Sequence, residues 1–201
     1  MNKFPIGIFD SDIGGLSVVD EFRRISPYED IIYFADTANY PYGTKQKEQV
    51  VGYFDNIVNF LLNKKVKALL CACSTASAVA VPLYAGRLKV DLIGMFNERL
   101  VTYVQEVSKN HNIALIATEL TVKSKGFENL FKNVSEHFEI KSKPASKLVN
   151  LITNCDFSPN VIMPEIKSVL KDFDLKNTGA LIIGCTHFYH ITDFLSGYLN
   201  G

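Results

Sequence analysis

The sequence predicts an α/β fold of two pseudo-symmetric domains, each a mostly parallel sheet flanked by helices, with the functional site in the cleft between them. Three observations predict it. Short apolar runs alternate with stretches whose apolar residues recur at helical spacing, the rhythm of strand–helix–strand units. The runs are apolar along their whole length, as expected for strands covered on both faces. One pattern also occurs twice: Ala68-Leu-Leu-Cys-Ala-Cys-Ser-Thr75 and Ala180-Leu-Ile-Ile-Gly-Cys-Thr-His187 are both apolar strands that end in Cys and a hydroxyl residue.

The first domain is expected over residues 1–96. Its first strand, Ile6–Phe9, runs into Asp10, Ser11, Asp12 and the Gly14-Gly15 pair. Such a turn can hold an anion at a helix N-terminus, but neither dinucleotide nor P-loop spacing is present. The second strand, Ile31–Phe34, leads to Asp36-Thr37 and then to Tyr40-Pro-Tyr-Gly-Thr-Lys45. A helix follows from about Gln46 to Asn63, with Val50, Phe54, Ile57, Val58 and Leu61 on one face. A strand over Lys67–Cys73 enters a helix over Thr75–Tyr84, and Val90–Ile93 reads as the fourth strand. The second domain, residues 97–201, has helices over Asn97–Lys109, Pro164–Phe173 and Phe188–Leu199. Its strands are Ile113–Ala117, which runs into Thr118 and Thr121, and Ala180–Gly184, which runs into Cys185, Thr186 and His187. Ligands of parallel sheets bind beyond the carboxyl ends of the strands, so these following residues carry the functional reading.

Composition narrows the classes. The 201 residues include 21 Lys+Arg and 21 Asp+Glu, a net charge of zero. Nucleic acid as the main partner needs a basic excess, and a membrane tether needs a polybasic run. No apolar run approaches the roughly 18 residues of a spanning helix, and Met1–Phe9 is too short to read as a secretory leader. Four cysteines in a chain of this length do not form a disulfide framework, so a reducing cytoplasm is expected.

Cys73 and Cys185 stand at equivalent strand ends before helix-like stretches. Free N–H groups at a helix start favour the thiolate, so both could act as bases. Two such thiols on opposite walls of a cleft could remove a proton from one face of a carbon and return one to the other, which is racemisation or epimerisation. Cys71 and Cys155 read as small core residues. A rival reading joins Cys71, Cys73, Cys185 and His187 as a zinc set, although their spacing departs from that of closed zinc sites. A Cys73–Cys185 disulfide would need an oxidising compartment. His111, His137 and His190 have no motif context.

The chain resembles glutamate racemase, within the aspartate/glutamate racemase superfamily. The resemblance runs through Ile6-Gly-Ile-Phe-Asp-Ser11, Gly14-Gly-Leu16, Tyr33-Phe-Ala-Asp-Thr37, Pro41-Tyr-Gly-Thr-Lys45, Cys73-Ser-Thr-Ala-Ser-Ala78 and Gly184-Cys-Thr-His187. It implies interconversion of L- and D-glutamate without a cofactor or metal, supplying peptidoglycan synthesis. By position it implies that Cys73 and Cys185 are the catalytic acid/bases, with Asp10 and His187 as polar neighbours that help them exchange protons. Ser11, Tyr42, Gly43, Ser74, Thr75, Thr118, Thr121 and Thr186 would bind the amino acid.

Several positions depart from the family pattern. Asp12 stands where Gly is usual, and Ser74 where Asn is usual. Thr153 stands where a carboxylate is expected, and Phe188-Tyr189 replaces Tyr-Pro. Family members continue past the position of Gly201 with a tail that completes the first domain, so that completion is expected to be missing, with an open sheet edge that favours a homodimer. The alternatives are a non-catalytic binding or regulatory protein of this fold, or a racemase for aspartate or another small acid.

Overall fold

A computed structural model describes residues 3–200 as two compact units, divided between Phe96 and Asn97. The first contains β1 (Ile6–Asp10), α1 (Leu16–Ile25), β2 (Ile31–Ala35), α2 (Lys47–Asn63), β3 (Ala68–Cys71), α3 (Ser74–Val79) and β4 (Asp91–Gly94). Three short 3-10 turns, Ile13–Gly15, Tyr42–Thr44 and Val81–Tyr84, link them. The second contains α4 (Glu98–Val107), β5 (Asn112–Ala117), α5 (Glu119–Ser124), α6 (Gly126–Val134), β6 (Glu139–Pro144), α7 (Ser146–Thr153), α8 (Pro159–Leu170), β7 (Ala180–Gly184), a 3-10 turn Thr186–Ile191 and α9 (Thr192–Asn200).

Both sheets are parallel throughout. The first has strand order β2-β1-β3-β4 and the second β6-β5-β7. The shared order is the pseudo-symmetry that the repeated strand pattern predicts: in each unit the first strand lies between the second and the third. That order creates a switch point, because the chain leaves the first strand to one side and returns on the other. Ligands of doubly wound sheets bind at that point. In unit 1 it lies between the carboxyl ends of β1 and β3, and in unit 2 between those of β5 and β7.

The cores explain the periodicities. α2 buries Val50, Phe54, Ile57, Val58 and Leu61 against the first sheet. Phe54 meets the Phe9 ring edge-on at 5.3 Å and the Tyr84 ring at 5.0 Å. A Gln46/Gln49 capping box starts α2 by satisfying two end N–H groups reciprocally. In unit 2, Ile113, Ala114, Leu115, Ile116 and Ala117 are all buried, as the continuous apolar run requires. Leu148 and Ile152 of α7, Ile162 and Ile166 of α8, and Phe127 and Phe131 of α6 complete that core.

Several expected boundaries shift. The strand expected over Lys67–Cys73 ends at Cys71, and Cys73 instead caps α3. The helix expected over Thr75–Tyr84 breaks after Val79, just before Pro82. The helix expected from Pro164 begins at Pro159, where a missing N–H costs nothing; Pro164 lies inside it on an exposed turn. The expected Phe188–Leu199 helix is split into a 3-10 turn and α9.

Candidate active site

The first cluster forms at the β1/β3 switch point. Phe9 pairs with Cys71 across these strands, and the Ala72 N–H continues the contact by donating to the Phe9 carbonyl at 2.8 Å. Asp10, Ser11 and Cys73 therefore emerge side by side. The Cys73 thiol donates to the Ser11 hydroxyl at 3.7 Å, and that hydroxyl donates to Asp10 Oδ1 at 3.3 Å. The Asp12 backbone N–H donates to the same carboxylate oxygen at 3.1 Å. The Ala76 N–H donates to Cys73 Sγ at 3.5 Å, so the sulfur takes the place a hydroxyl or carboxylate usually fills at a helix start. Ser74 and Thr75, the first residues of α3, are buried beside it.

The resting charge at Cys73 differs from the sequence expectation. Burial pushes its thiol up to about 12, and the Asp10 carboxylate pushes the same way; the Ala76 N–H and the Ser11 hydroxyl pull it back. α3 is only six residues long, so its dipole and one N–H bond do not offset desolvation in a site where Cys73 is 5% exposed. Cys73 is therefore a neutral thiol at ordinary pH.

Tyr42 and Gly43 are buried in the turn after β2. The Tyr42 hydroxyl donates to Asp36 Oδ2 at 2.5 Å, and Asn39 Nδ2 donates to both oxygens of that carboxylate at 2.9 and 3.0 Å. Burial and then the Asp36 bond raise the Tyr42 phenol far above its ordinary value, so it stays a donor. Asp36 was absent from the expected site. Its signal was its place directly after a strand: the Asp36 N–H donates to the Asp10 carbonyl at 3.0 Å, at the same sheet edge.

The second cluster forms at the β5/β7 switch point. Ala117 pairs with Gly184, so Thr118 and Cys185 leave neighbouring strands at one end. Gly184 is required by close packing: a Cβ there would lie 2.9 Å from Leu115 Cδ1 and 3.0 Å from Ala117 Cβ. The Thr118 and Thr121 hydroxyls bond each other at 2.9 Å at the start of α5, both buried. Cys185 Sγ lies 3.8 Å from Nδ1 of the buried His187 imidazole. Thr186 sits between them, half-buried. All twelve expected site residues thus fall into these two clusters, Asp10, Ser11, Tyr42, Gly43, Cys73, Ser74 and Thr75 in the first, Thr118, Thr121, Cys185, Thr186 and His187 in the second. Thr153 is apart from both in its role: its hydroxyl donates to the Val149 carbonyl of its own helix at 2.9 Å. The thiol of Cys71 donates to the Cys73 carbonyl at 3.6 Å, which makes it a backbone support inside the core.

Each unit thus ends a strand in a thiol, beside a carboxylate in the first and beside an imidazole in the second. The chain is similar to a large group of curated proteins. The chain is 38% identical to the glutamate racemase of Halothermothrix orenii over 191 residues, covering 95% of this chain and 75% of that protein. The chain belongs to the glutamate racemase family. It is 37% identical to glutamate racemase 2 of Bacillus subtilis, covering 91% of this chain and 69% of that one. Among solved structures, the glutamate racemase of Francisella tularensis in complex with D-glutamate aligns over the whole chain, 75% of its own length, with a TM-score of 0.89 at 33% identity. Of these relatives the chain thus spans between two thirds and three quarters. No family model matches it. The family places the chain among isomerases, as an amino-acid racemase, with the α/β architecture of two parallel sheets described above.

Proposed function

We propose that this chain racemises glutamate by proton transfer between two thiols, without a cofactor, and that it supplies D-glutamate for peptidoglycan synthesis in the cytoplasm. The observation that carries the reading is the placement of Cys73 and Cys185 at equivalent switch points of two units with the same strand order. In the proposed mechanism residues 1–96 and 97–201 act as two domains that present their thiols to opposite faces of the substrate Cα.

The proton balance follows from the surroundings. One thiol must be a base and the other an acid at the start of each turnover. Cys73, with its proton held by burial and by Asp10, is the resting acid. Cys185 can pass its proton to His187 Nδ1, 3.8 Å away, and so serve as the resting base. The Cys185 sulfur takes the Cα proton, a carbanion develops, and Cys73 delivers its proton to the other face. The two thiols then hold exchanged protonation states, and the opposite enantiomer enters with the roles reversed. The resting state is restored by exchange with solvent: Cys73 regains a proton by way of Ser11 and Asp10, and Cys185 loses one by way of His187 after the imidazole has released its own. The carbanion is the costly species, so donors aimed at the substrate carboxylate supply the largest stabilisation. The Ser74, Thr75, Thr118, Thr121 and Thr186 hydroxyls and the Gly43 N–H are the donors assigned to the amino acid; the Ser11 and Tyr42 oxygens, whose protons go to Asp10 and Asp36, are assigned as acceptors for its ammonium.

Polarimetry with L- and with D-glutamate tests this reading. Loss of optical activity from either enantiomer at a common equilibrium supports it. Saturable glutamate binding without turnover would instead support a non-catalytic protein of this fold, and turnover of aspartate alone would reassign the substrate.

A further inference from the structure

Tyr33 of β2 lies outside the expected site and touches it through the backbone. Its hydroxyl donates to the Asp12 carbonyl at 2.6 Å, and the Gly15 N–H donates back to the phenol oxygen. One hydroxyl thus grips both ends of the turn that follows β1. That turn holds the Asp10 carboxylate, because the Asp12 N–H donates to Asp10 Oδ1 at 3.1 Å. Gly15 packs against the same two groups: a Cβ there would lie 2.6 Å from Asp10 Cβ and 2.7 Å from the Tyr33 oxygen. A side chain at position 15 would therefore displace either the carboxylate or the phenol. The connected path runs from Tyr33 through the 12–15 turn to Asp10, then through the Ser11 hydroxyl to Cys73 Sγ.

We propose that Tyr33 is a positioning residue for the Cys73 half-site: its hydroxyl clamps the Asp12–Gly15 turn and so fixes the Asp10 carboxylate against Ser11 and Cys73. The proposal rests on the reading of Cys73 as a proton-transfer group, but its test needs no turnover. Burial, then Asp10, Asp12 and Cys73, raise the Tyr33 phenol well above its ordinary value, so the clamp keeps its donor proton across the working pH range. The titratable groups around the Cys73 sulfur are Asp10, Cys71, Tyr33 and Tyr42. Of these, Asp10 is the charged one whose position the clamp controls.

The test is Tyr33→Phe, which keeps the ring and removes the bonds. Iodoacetamide labelling of each cysteine is followed by mass spectrometry between pH 7 and 10.5. Freed of the clamp, the turn loosens, Asp10 draws away and water reaches the sulfur; both changes remove causes that raise the Cys73 pKa. Cys73 labelling at pH 8.5 is expected to rise roughly threefold to tenfold, equivalent to half a unit to one unit of pKa. Cys185, in the other unit, is expected to keep its profile and serves as the internal reference. An unchanged Cys73 profile in folded Tyr33→Phe protein overturns the proposal. So does an equal change at both thiols, which would mark a general loosening. A measurement on the unaltered chain covers a variant that does not fold: the Tyr33 ring carbon resonance is expected to stay flat to pH 11, and a midpoint near pH 10 overturns the clamp. If the chain shows no glutamate turnover while Cys73 responds as expected, the functional reading fails and the positioning role stands.

Discussion

The two thiol sites occupy the same place in two similar units and differ in almost everything else. Cys73 is buried, caps a short helix through its sulfur and lies in a bond path with a carboxylate. Cys185 is half-buried and lies beside an imidazole, and its side chain caps no helix. A carboxylate beside a buried thiol keeps the proton on sulfur. An imidazole can take a proton from sulfur and give it back. Repeated topology therefore supplies two positions, and in the proposed mechanism their neighbours divide the labour between them. The proposed mechanism needs this division, because one sulfur must start each turnover as a base and the other as an acid.

Removing either sulfur is the largest perturbation. Cys73→Ala and Cys185→Ala are each expected to lower glutamate turnover by about 10³-fold or more, since each deletes a proton carrier and not just its tuning group. Retention of activity in either variant would break the comparison. The next effect separates the halves. Asp10→Asn and His187→Asn are each expected to cost about 10²-fold in kcat. Their signatures should be opposite: the variant that enlarges the isotope effect for Cα-deuterated L-glutamate leaves that for the D-enantiomer small, and the other variant reverses the pattern. Equal isotope effects in both variants would show that neither neighbour is tied to its own thiol.

A third effect is in stability. The Cys73 thiol has a folded value of about 12 against an ordinary 9.0. A raised value means that the neutral thiol is favoured by folding, so its contribution is complete below pH 9 and is lost as pH rises towards 12. The denaturation midpoint of the wild type should therefore fall relative to Cys73→Ala between pH 9 and 12. Both proteins keep Tyr33 and Tyr42, whose own titrations cancel in the difference. A constant gap over this range would show that the thiol is not held neutral by its surroundings.

The parts of the fold legible in the sequence were those with one dominant cause. β5 is buried on both faces and reads as a continuous apolar run; α2 has five apolar residues on one side. β6 was missed because it is an edge strand of sequence Glu-Ile-Lys-Ser-Lys-Pro, paired only with β5, where charge and a terminal Pro are tolerated. α1 was missed for a related reason: none of its residues is fully buried, so its apolar stripe is weakly tied to the sheet. Within the candidate site, the placement of Cys73 near Asp10 and of Cys185 near His187 was legible because strand ends mark them. Tyr33 was not, because a tyrosine inside a strand is ordinary β-sheet composition until its hydroxyl is seen on the next loop. The neutral state of Cys73 was illegible because it depends on burial, which the local sequence around a helix start does not report.

The central claim is that two separate groups handle the Cα proton, one on each face. Racemisation of protiated L-glutamate in deuterium oxide, stopped early, tests it most directly. The account predicts that the D-glutamate formed carries solvent deuterium at Cα while the remaining L-glutamate keeps its protium. D-glutamate that retains the substrate's own proton, or L-glutamate that gains deuterium as fast as product appears, would show a single shared base and contradict it.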